Sequence, residues 1–528
     1  MKVQNRRILA EYSKHKEGLI GDIILRNAVF YPNHEAYVFG NQRITFQQYN
    51  ERANRLIHAL LKKGLRKGDV LGVLSWNRIE YMDVFGAADK GGFIIAPFNV
   101  RMSRSEIEYL INDSETVALF VGPEFIDVVR ELKPKLPRVK HFISFDEHVP
   151  SMENFEKLIS DASDHEPEVQ IDDEDPIFIC YTSGTTGVPR GALFTQGRYR
   201  EVVIGHTIDV PIGENGRVLG LTPPFHIARI MSRGYALFEV ATTVIISTFD
   251  PHSVMEIIEK ERITDIAFVP TQLAMLLDLP GFHKFDISSI RRVNYMGSPM
   301  PLELLRRGIE AFGPVFCQGY GQTESGPDIT FFKEGDHLIL DQQSAQQKRL
   351  LSCGRPAVGV HVRIVDDNDQ DVDPGQIGEI ITKSRHIMKG YWKKPDETRQ
   401  AIINGWLHTG DLGRYDEQGY IYIVDRKQDM IVSGGENIYP REVEEVLHKH
   451  PAVLECSVFG IPHAKWIEAV HAIVAFKKGI TATPDELIEF CKSNMARYKA
   501  PKSIDIIEKI PKNAAGKILK KELRQRYW

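Results

Sequence analysis

Apolar residues recur along the first half of the chain with two alternating periods. Over residues 45–63 (TFQQYNERANRLIHALLKK), Tyr49, Ala53, Leu56, Ile57 and Leu60 fall at helical spacing, and Gly64 ends the run. Residues 69–74 (DVLGVL) form a short apolar run suited to a buried strand. A helical segment over 78–90, the pair Gly91-Gly92 and the strand-like FIIAPF of 93–98 follow. Strand and helix in this order predict βαβ units and a largely parallel sheet. The alternation returns with strands at 176–181 and 244–247, and with a helix over 253–261 ahead of a strand over 265–269.

From about residue 354 the texture changes. The runs VHVRIVD, GEIITK and GYIYIVD, separated by turn signals at 373–375 and 417–419, predict a small antiparallel β-unit. An amphipathic helix begins at Arg441, with Val443, Val446 and Leu447 on one face, and the remainder reads as a compact α+β unit. The expected division is therefore an α/β domain over 1–425, made of packed α/β sheets plus the small β-unit. A connecting segment over 426–429 and a small α+β domain over 430–528 follow.

Composition narrows the class. At about 100–200 residues per domain, 528 residues hold three or four folding units. Hydrophobic residues at 42% and charged residues at 26% are ordinary globular usage, which excludes disorder, collagen and coiled coil as the main state. The 66 Lys+Arg against 71 Asp+Glu leave no electrostatic footprint for nucleic acid or an anionic membrane surface. Five widely spaced cysteines argue against a disulfide framework or a C-x-x-C metal site, and for a reducing cytoplasm. No apolar h-region opens the chain, and no stretch approaches the roughly 20 apolar residues of a spanning helix.

Glycine-rich segments carry the candidate chemistry. Tyr181-Thr-Ser-Gly-Thr-Thr-Gly-Val-Pro-Arg-Gly191 follows a strand pattern. Its glycines let backbone N–H groups converge into an anion nest, its hydroxyls add donors, and Arg190 adds a charge for phosphate. A Walker A pattern is absent, and a solvated Gly/Thr turn has the same composition. In Gln318-Gly-Tyr-Gly-Gln-Thr-Glu324 the third glycine of a dinucleotide fingerprint is replaced by Glu324. A hydroxyl beside a carboxylate suits Mg2+, though a turn with a helix cap explains the same residues. GWLHTGDLG at 405–413 places Asp411 in a turn, ahead of Asp425-Arg426 and Ser433-Gly-Gly-Glu-Asn437. Asp411 and Arg426 suit the hydroxyls of a sugar, or are surface turn residues. IPKNAAGK at 510–517 offers Lys517 in a turn, or a basic tail.

These segments, in this order, resemble the adenylate-forming superfamily of acyl-CoA synthetases, firefly luciferase and peptide-synthetase adenylation domains. The resemblance spans nearly the whole chain. It rests on YTSGTTGVPRG, PPFHIAR at 223–229, MGSPMP at 296–301, GYGQTE, GYW at 390–392, GWLHTGDLG, DRKQDMIVSGGENIYPREVE and PKNAAGK. It implies a large N-terminal domain and a small mobile C-terminal one pivoting at Gln428. It implies two steps: a carboxylate attacks the α-phosphorus of Mg·ATP, and a thiol then displaces AMP.

On the same resemblance, Thr182, Ser183, Gly184, Thr185, Thr186 and Gly187 embrace the β/γ-phosphates, with Arg190 at the end of the loop, and Thr185 with Glu324 holds Mg2+. Gly297, Ser298 and Pro299 line the adenine with Tyr320 of the second loop, whose Gly319, Gly321, Gln322 and Thr323 also belong to the ATP/AMP-binding set. Asp411 and Arg426 take the ribose hydroxyls, with Ile423 nearby. Lys517 bridges the carboxylate and the α-phosphate, and Gly434 and Gly435 approach the pantetheine thiol. His226 gates an acyl pocket that includes Ala228, Gly321 and Asp328; Lys517, Thr185, Glu324 and His226 are the catalytic candidates.

Some positions depart from the family pattern. Arg190 replaces a more usual lysine, Gln196 a histidine, and Arg229 a small residue. Arg229 and Asp328 are expected to face solvent; if buried, they would pair with each other or imply a polar or cationic acid. Gly321, where acetate-specific relatives carry tryptophan, implies an acid larger than propionate. The expected activity is an AMP-forming carboxylic acid:CoA ligase using ATP, CoA and a small acid, with no nucleic-acid partner and a homodimer left open. A ligase loading a carrier protein is the alternative, although no carrier domain is fused to the chain. A non-catalytic nucleotide-binding protein on the same fold would have no need for Lys517, Glu324, Asp411 and Arg426 together. A serine hydrolase lacks its G-x-S-x-G.

Overall fold

The computed structural model describes residues 18–145, 149–182, 188–213, 215–298, 300–338, 349–433, 436–463, 466–512 and 518–527, the side chain of residue 521 excepted. It divides into two compact units, Met1–His361 with Thr382–Leu407, and Val362–Ile381 with His408–Trp528.

The first unit holds two large sheets, each parallel in its middle. One has nine strands, and its parallel run is Phe316–Tyr320, Arg292–Tyr295, Asp265–Phe268, Arg217–Gly220, Thr242–Ile245 and Glu35–Phe39. The other has eight, with Pro176–Thr182, Ile94–Pro97, Val70–Leu74, Thr116–Val121, His141–Ser144 and Glu153–Asn154 parallel. The strands Arg190–Thr195 and Gly390–Tyr391 close its edge in antiparallel fashion. Val70–Leu74 and Ile94–Pro97 are buried throughout, as strands covered by helices on both faces must be. One hydrophobic cluster unites residues of both sheets with the helices Ile20–Phe30, Phe46–Lys62, Ile79–Gly91, Gln196–Asp209 and Ile227–Phe238. Separate clusters cover the outer faces, so helices and sheets stack in alternate layers.

The helix Phe46–Lys62 begins at Thr45, whose side chain accepts from the Gln48 backbone in a capping box. Its buried face, including Tyr49, Ala53, Leu56, Ile57 and Leu60, is the one the apolar spacing predicts. Among the described residues no helix is long and apolar enough to cross a membrane.

In the second unit the strands Trp406–Tyr415 and Ile421–Arg426 pair antiparallel, and Gly419 turns between them at φ +79. Further along, the hairpin Val453–His463 with Ile467–Phe476 packs against the helices Pro440–His448 and Pro484–Asn494 around Val443, Leu447, Val470 and Leu487.

The layer between the large sheets is not wholly apolar. Arg233 is buried, 2.7 Å from Asp89, and also donates to the Tyr49 and Tyr199 hydroxyls. Lys90 pairs with Glu166 at 2.8 Å and Arg52 with Asp83 at 2.8 Å. Removing one member of a buried pair leaves an uncompensated charge at a cost of about 3–5 kcal/mol. Asp89→Asn is expected to lower the urea midpoint of this unit accordingly, read by tryptophan fluorescence; a loss below about 1 kcal/mol would mean that the Arg233 charge is met elsewhere.

Candidate functional site

The strand Pro176–Thr182 runs out at its carboxyl end into residues 183–187, and the chain returns along Arg190–Thr195. Ser183, Gly184, Thr185, Thr186 and Gly187 lie outside the described residues. The Thr182 hydroxyl donates to Glu324 Oε1 at 3.2 Å, and the Tyr391 hydroxyl donates to the same oxygen at 3.0 Å. The Arg190 guanidinium stands 4.6 Å from the centre of the Tyr391 ring, a cation over a π face. Glu324 itself sits in the turn Thr323–Ser325 after the strand Phe316–Tyr320, and its backbone carbonyl accepts from Met388. Among the described residues its second oxygen, Oε2, accepts no hydrogen bond. A half-used carboxylate beside hydroxyls and a cation is suited to a hard metal ion and phosphate oxygens.

Gly297, at φ +82, and Ser298 are exposed in the bend after Arg292–Tyr295; Pro299 lies outside the described residues. Gly319 and Tyr320 end the strand Phe316–Tyr320, and Gln322 N donates to Ser325 Oγ at 2.9 Å to tighten the following turn. A Cβ at Gly321 would lie 2.0 Å from the Pro327 carbonyl oxygen. Glycine is required there by the approach of two backbone segments, whatever the size of the acid.

A cavity of about 60 Å3 opens between the helices Gln196–Asp209 and Ile227–Phe238 and the strands Arg217–Gly220, Asp265–Phe268 and Arg292–Tyr295. Its wall includes Ala228 and Asp328; His226 and Gly321 are outside that wall. The expectation that Arg229 and Asp328 face solvent is overturned, since both line this cavity at 1% and 4% exposure. Arg229 is buried because the helix Ile227–Phe238 is enclosed on nearly every face inside the layer between the sheets, and Asp328, ahead of the strand Thr330–Phe332, is covered by His206 and Tyr235. Nor do the two pair with each other. Asp328 Oδ2 accepts from Tyr235 Oη and from His206 Nδ1, each at 2.9 Å, and the His206 ring stacks on Tyr235 with centroids 3.6 Å apart.

His226 caps the start of the same helix. Burial, with the Arg101 cation adding to it, pulls its imidazole down to about 4, so it is neutral at physiological pH.

In the second unit Asp411 and Arg426 face each other across the strand pair, with Nε 2.7 Å from the carboxylate. Ile423 lies on the same strand as Arg426 and its carbonyl accepts from Arg441 at 2.9 Å. Gln428 is exposed in the turn Lys427–Asp429. Gly434, Gly435 and Lys517 lie outside the described residues.

Residues 24–392 match the family model for AMP-binding enzymes, and residues 442–517 match the AMP-binding enzyme C-terminal domain. The chain belongs to the AMP-binding enzyme family. Within the adenylate-forming superfamily it is an acyl-CoA synthetase-like member, an AMP-forming acid–thiol ligase. A feruloyl-CoA synthase from an Amycolatopsis species is 33% identical over 510 residues, covering 96% of this chain and 99% of the relative. A long-chain-fatty-acid–CoA ligase of Mycobacterium tuberculosis is 34% identical over 513 residues, covering 96% and 98%. The structure of o-succinylbenzoate CoA synthetase from Bacillus subtilis, in complex with its acyl-adenylate intermediate, matches with a TM-score of 0.82 at 30% identity, covering 95% of this chain and 97% of that one.

In this AMP-binding enzyme the structure brings Thr182, Arg190 and Glu324 together, as it does Asp411 and Arg426. It adds Tyr391, which links Arg190 to Glu324; the GYW motif at 390–392 is its signal in the sequence. It also adds His206 and Tyr235, whose roles have no motif and follow only from which way two helices face.

The imidazole of His226 is expected to titrate by NMR with a midpoint near 4; a midpoint near 6.5 would contradict its burial. Between those two values the unfolded chain binds the additional proton, so stability is lost as pH falls through this window. His226→Gln should flatten that part of the stability–pH curve, measured by urea midpoints.

Proposed function

We propose that the chain joins a carboxylic acid larger than propionate to CoA in two steps, the size resting on the acids named for its relatives and not on Gly321. A carboxylate oxygen attacks the α-phosphorus of ATP and pyrophosphate leaves; the CoA sulfur then attacks the acyl carbon and AMP leaves. The observation that carries this reading is Glu324, held by Thr182 and Tyr391 at the mouth of the Thr/Ser/Gly-rich loop with one carboxylate oxygen unused. The coenzyme A named in the two relatives and the solved structure supports the thiol acceptor.

The phosphates need positioning and charge neutralisation more than covalent chemistry. Thr182 to Gly187 supply backbone and hydroxyl donors, and Arg190 a cation. Glu324 and Thr185 would hold Mg2+, which neutralises phosphate charge when bound. Among the described residues no three His, Cys, Asp or Glu groups gather into a metal cage, so such an ion would take its remaining ligands from water and the phosphates. Gly297 to Pro299 and Tyr320 would line the adenine. The ribose hydroxyls would donate to Asp411 and accept from Arg426. Lys517 would meet the charge that develops between carboxylate and α-phosphate. A pivot of residues 430–528 at Gln428 would then exchange Lys517 for Gly434 and Gly435 beside the thiol. Buried and widely spaced cysteines fit a cytoplasmic setting.

Tyr391→Phe removes one of the two hydrogen bonds that aim Glu324. A hydrogen bond to a charged group contributes about 1.5–3 kcal/mol, so the KM for Mg·ATP should rise roughly tenfold or more with the fold intact. An unchanged KM would remove Tyr391 from its positioning role. Lys517→Ala should abolish carboxylate-dependent ATP–pyrophosphate exchange while leaving thioester formation from supplied acyl-AMP largely intact. Equal loss of both half-reactions would sink the role given to Lys517, and full turnover with a carrier protein in place of CoA would redirect the second step.

A further inference from the structure

The cavity between Gln196–Asp209 and Ile227–Phe238 has a wall of unusual chemistry for a site that receives the body of an acid. His206, Arg229, Asp265, Arg292, Asn294 and Asp328 all line it. Their hydrogen bonds are unequally met. Asp328 already accepts from His206 and Tyr235. Asp265 accepts from Thr264 at 2.6 Å and from Arg292 at 3.3 Å, and Arg292 also donates to Glu334. Both carboxylates in the wall are therefore supplied with donors, and a cationic acid would find neither of them waiting.

Arg229 is the opposite case. Among the described residues its Nε and Nη1 are enclosed without a hydrogen-bond partner, and its Nη2 reaches only the Met82 sulfur at 3.6 Å. The next cation on the helix, Arg233, takes Asp89 for itself, and among the described residues no carboxylate pairs with Arg229. Burial, with the Arg233 cation adding to it, lowers the Arg229 guanidinium to about 10, which still leaves it charged at neutral pH. Asn294 likewise makes no side-chain hydrogen bond to the described residues. Space for the guanidinium exists because position 220 is glycine: a Cβ there would stand 3.0 Å from Arg229 Nη2. An unanswered buried cation destabilises a fold unless something outside the chain completes it.

We infer that the acid bound here carries a second oxygen acceptor, a carboxylate or a carbonyl, at the end remote from its reacting carboxyl, and that Arg229 receives it. This inference rests on the proposed ligase activity and names its substrate class. Discrimination should be steep, because a site built around a hydrogen bond rejects the analogue lacking it far more strongly than an apolar pocket rejects a shorter chain.

The test uses the full chain and three acids of equal carbon count: pentanoate, 4-oxopentanoate and glutarate, assayed for CoA-dependent AMP release. At least one acceptor-bearing acid should exceed pentanoate in kcat/KM by about a hundredfold or more. Preference for glutarate would identify an anionic group as the ligand of Arg229, and preference for 4-oxopentanoate a neutral carbonyl. Arg229→Leu should cancel that preference and leave the melting temperature of the acid-free protein unchanged or raised. Arg229→Lys should restore part of the preference. Gly220→Ala, which displaces the guanidinium without deleting it, gives the same reading if Arg229→Leu fails to fold. Pentanoate turned over as well as both others, or a preference that survives displacement of Arg229, overturns the inference while leaving the ligase reading standing. Failure of every acid in a broad panel to support ATP–pyrophosphate exchange overturns the ligase reading, and this inference with it.

Discussion

Two sheets of different strand order meet at one carboxylate. Glu324 is delivered by the carboxyl end of Phe316–Tyr320 in the nine-stranded sheet. The hydroxyls that hold it, Thr182 and Tyr391, belong to the eight-stranded sheet. Neither sheet alone can place a hard oxygen beside a phosphate-binding loop with this precision. Each needs the packed layer of helices between them to fix its distance from the other. The fold's large shared core is thus more than a stabiliser; its thickness is the length standard for the site. The turn residues at 297–298 and 321–324 follow the carboxyl ends of parallel strands in the same way, where an open α/β sheet leaves its crevice.

That same layer has to bury charge, and it does so by two rules. Arg233 with Asp89, Lys90 with Glu166 and Arg52 with Asp83 are matched pairs, and each partner recovers part of the solvation it has lost. Arg229, one helical turn from Arg233, is not matched. A structural role does not account for the difference, because a leucine would fill the position without an unmet charge. The exception lies where the matched network gives way to a cavity, and the imbalance is of the kind that a binding site carries at the expense of stability.

Much of the fold was legible in the sequence. The helices at 45–63 and 78–90 and the strands at 69–74 and 176–181 follow from period and capping, and their boundaries in the structure differ by a residue or two. The residues proposed to face phosphate were legible for a related reason. Glycine, threonine and an isolated carboxylate in a short segment after a strand have few purposes other than presenting backbone and oxygen to a ligand. The residues proposed to face the acid were not. Arg229 reads as a surface residue because the helix Ile227–Phe238 carries an amphipathic pattern whose polar positions are nonetheless buried, and Asp328 does so because it stands in an irregular segment between Thr323–Ser325 and Thr330–Phe332, where no period reports burial. Gly321 is a weaker guide to substrate length than it looks, because the Pro327 carbonyl excludes any side chain there whatever the acid.

This asymmetry has a physical origin. Handling ATP depends on donors presented by backbone and by short hydroxyl side chains, and such arrangements require special residues at fixed spacing. Selecting an acid depends on which side chains line a cavity between helices, and any residue can occupy those positions without disturbing a turn or a cap. His206 shows the consequence. Its position is ordinary for a helix, but the Asp328 acceptor on Nδ1 and the Tyr235 ring beneath it fix its tautomer and its plane. A free imidazole would lose that orientation, and an Asp328 without those two donors would be as poorly matched as Arg229 is. The wall therefore neutralises its own anions and leaves a cation open, so the selection of the acid turns on a surplus of donors that only the packed structure reveals.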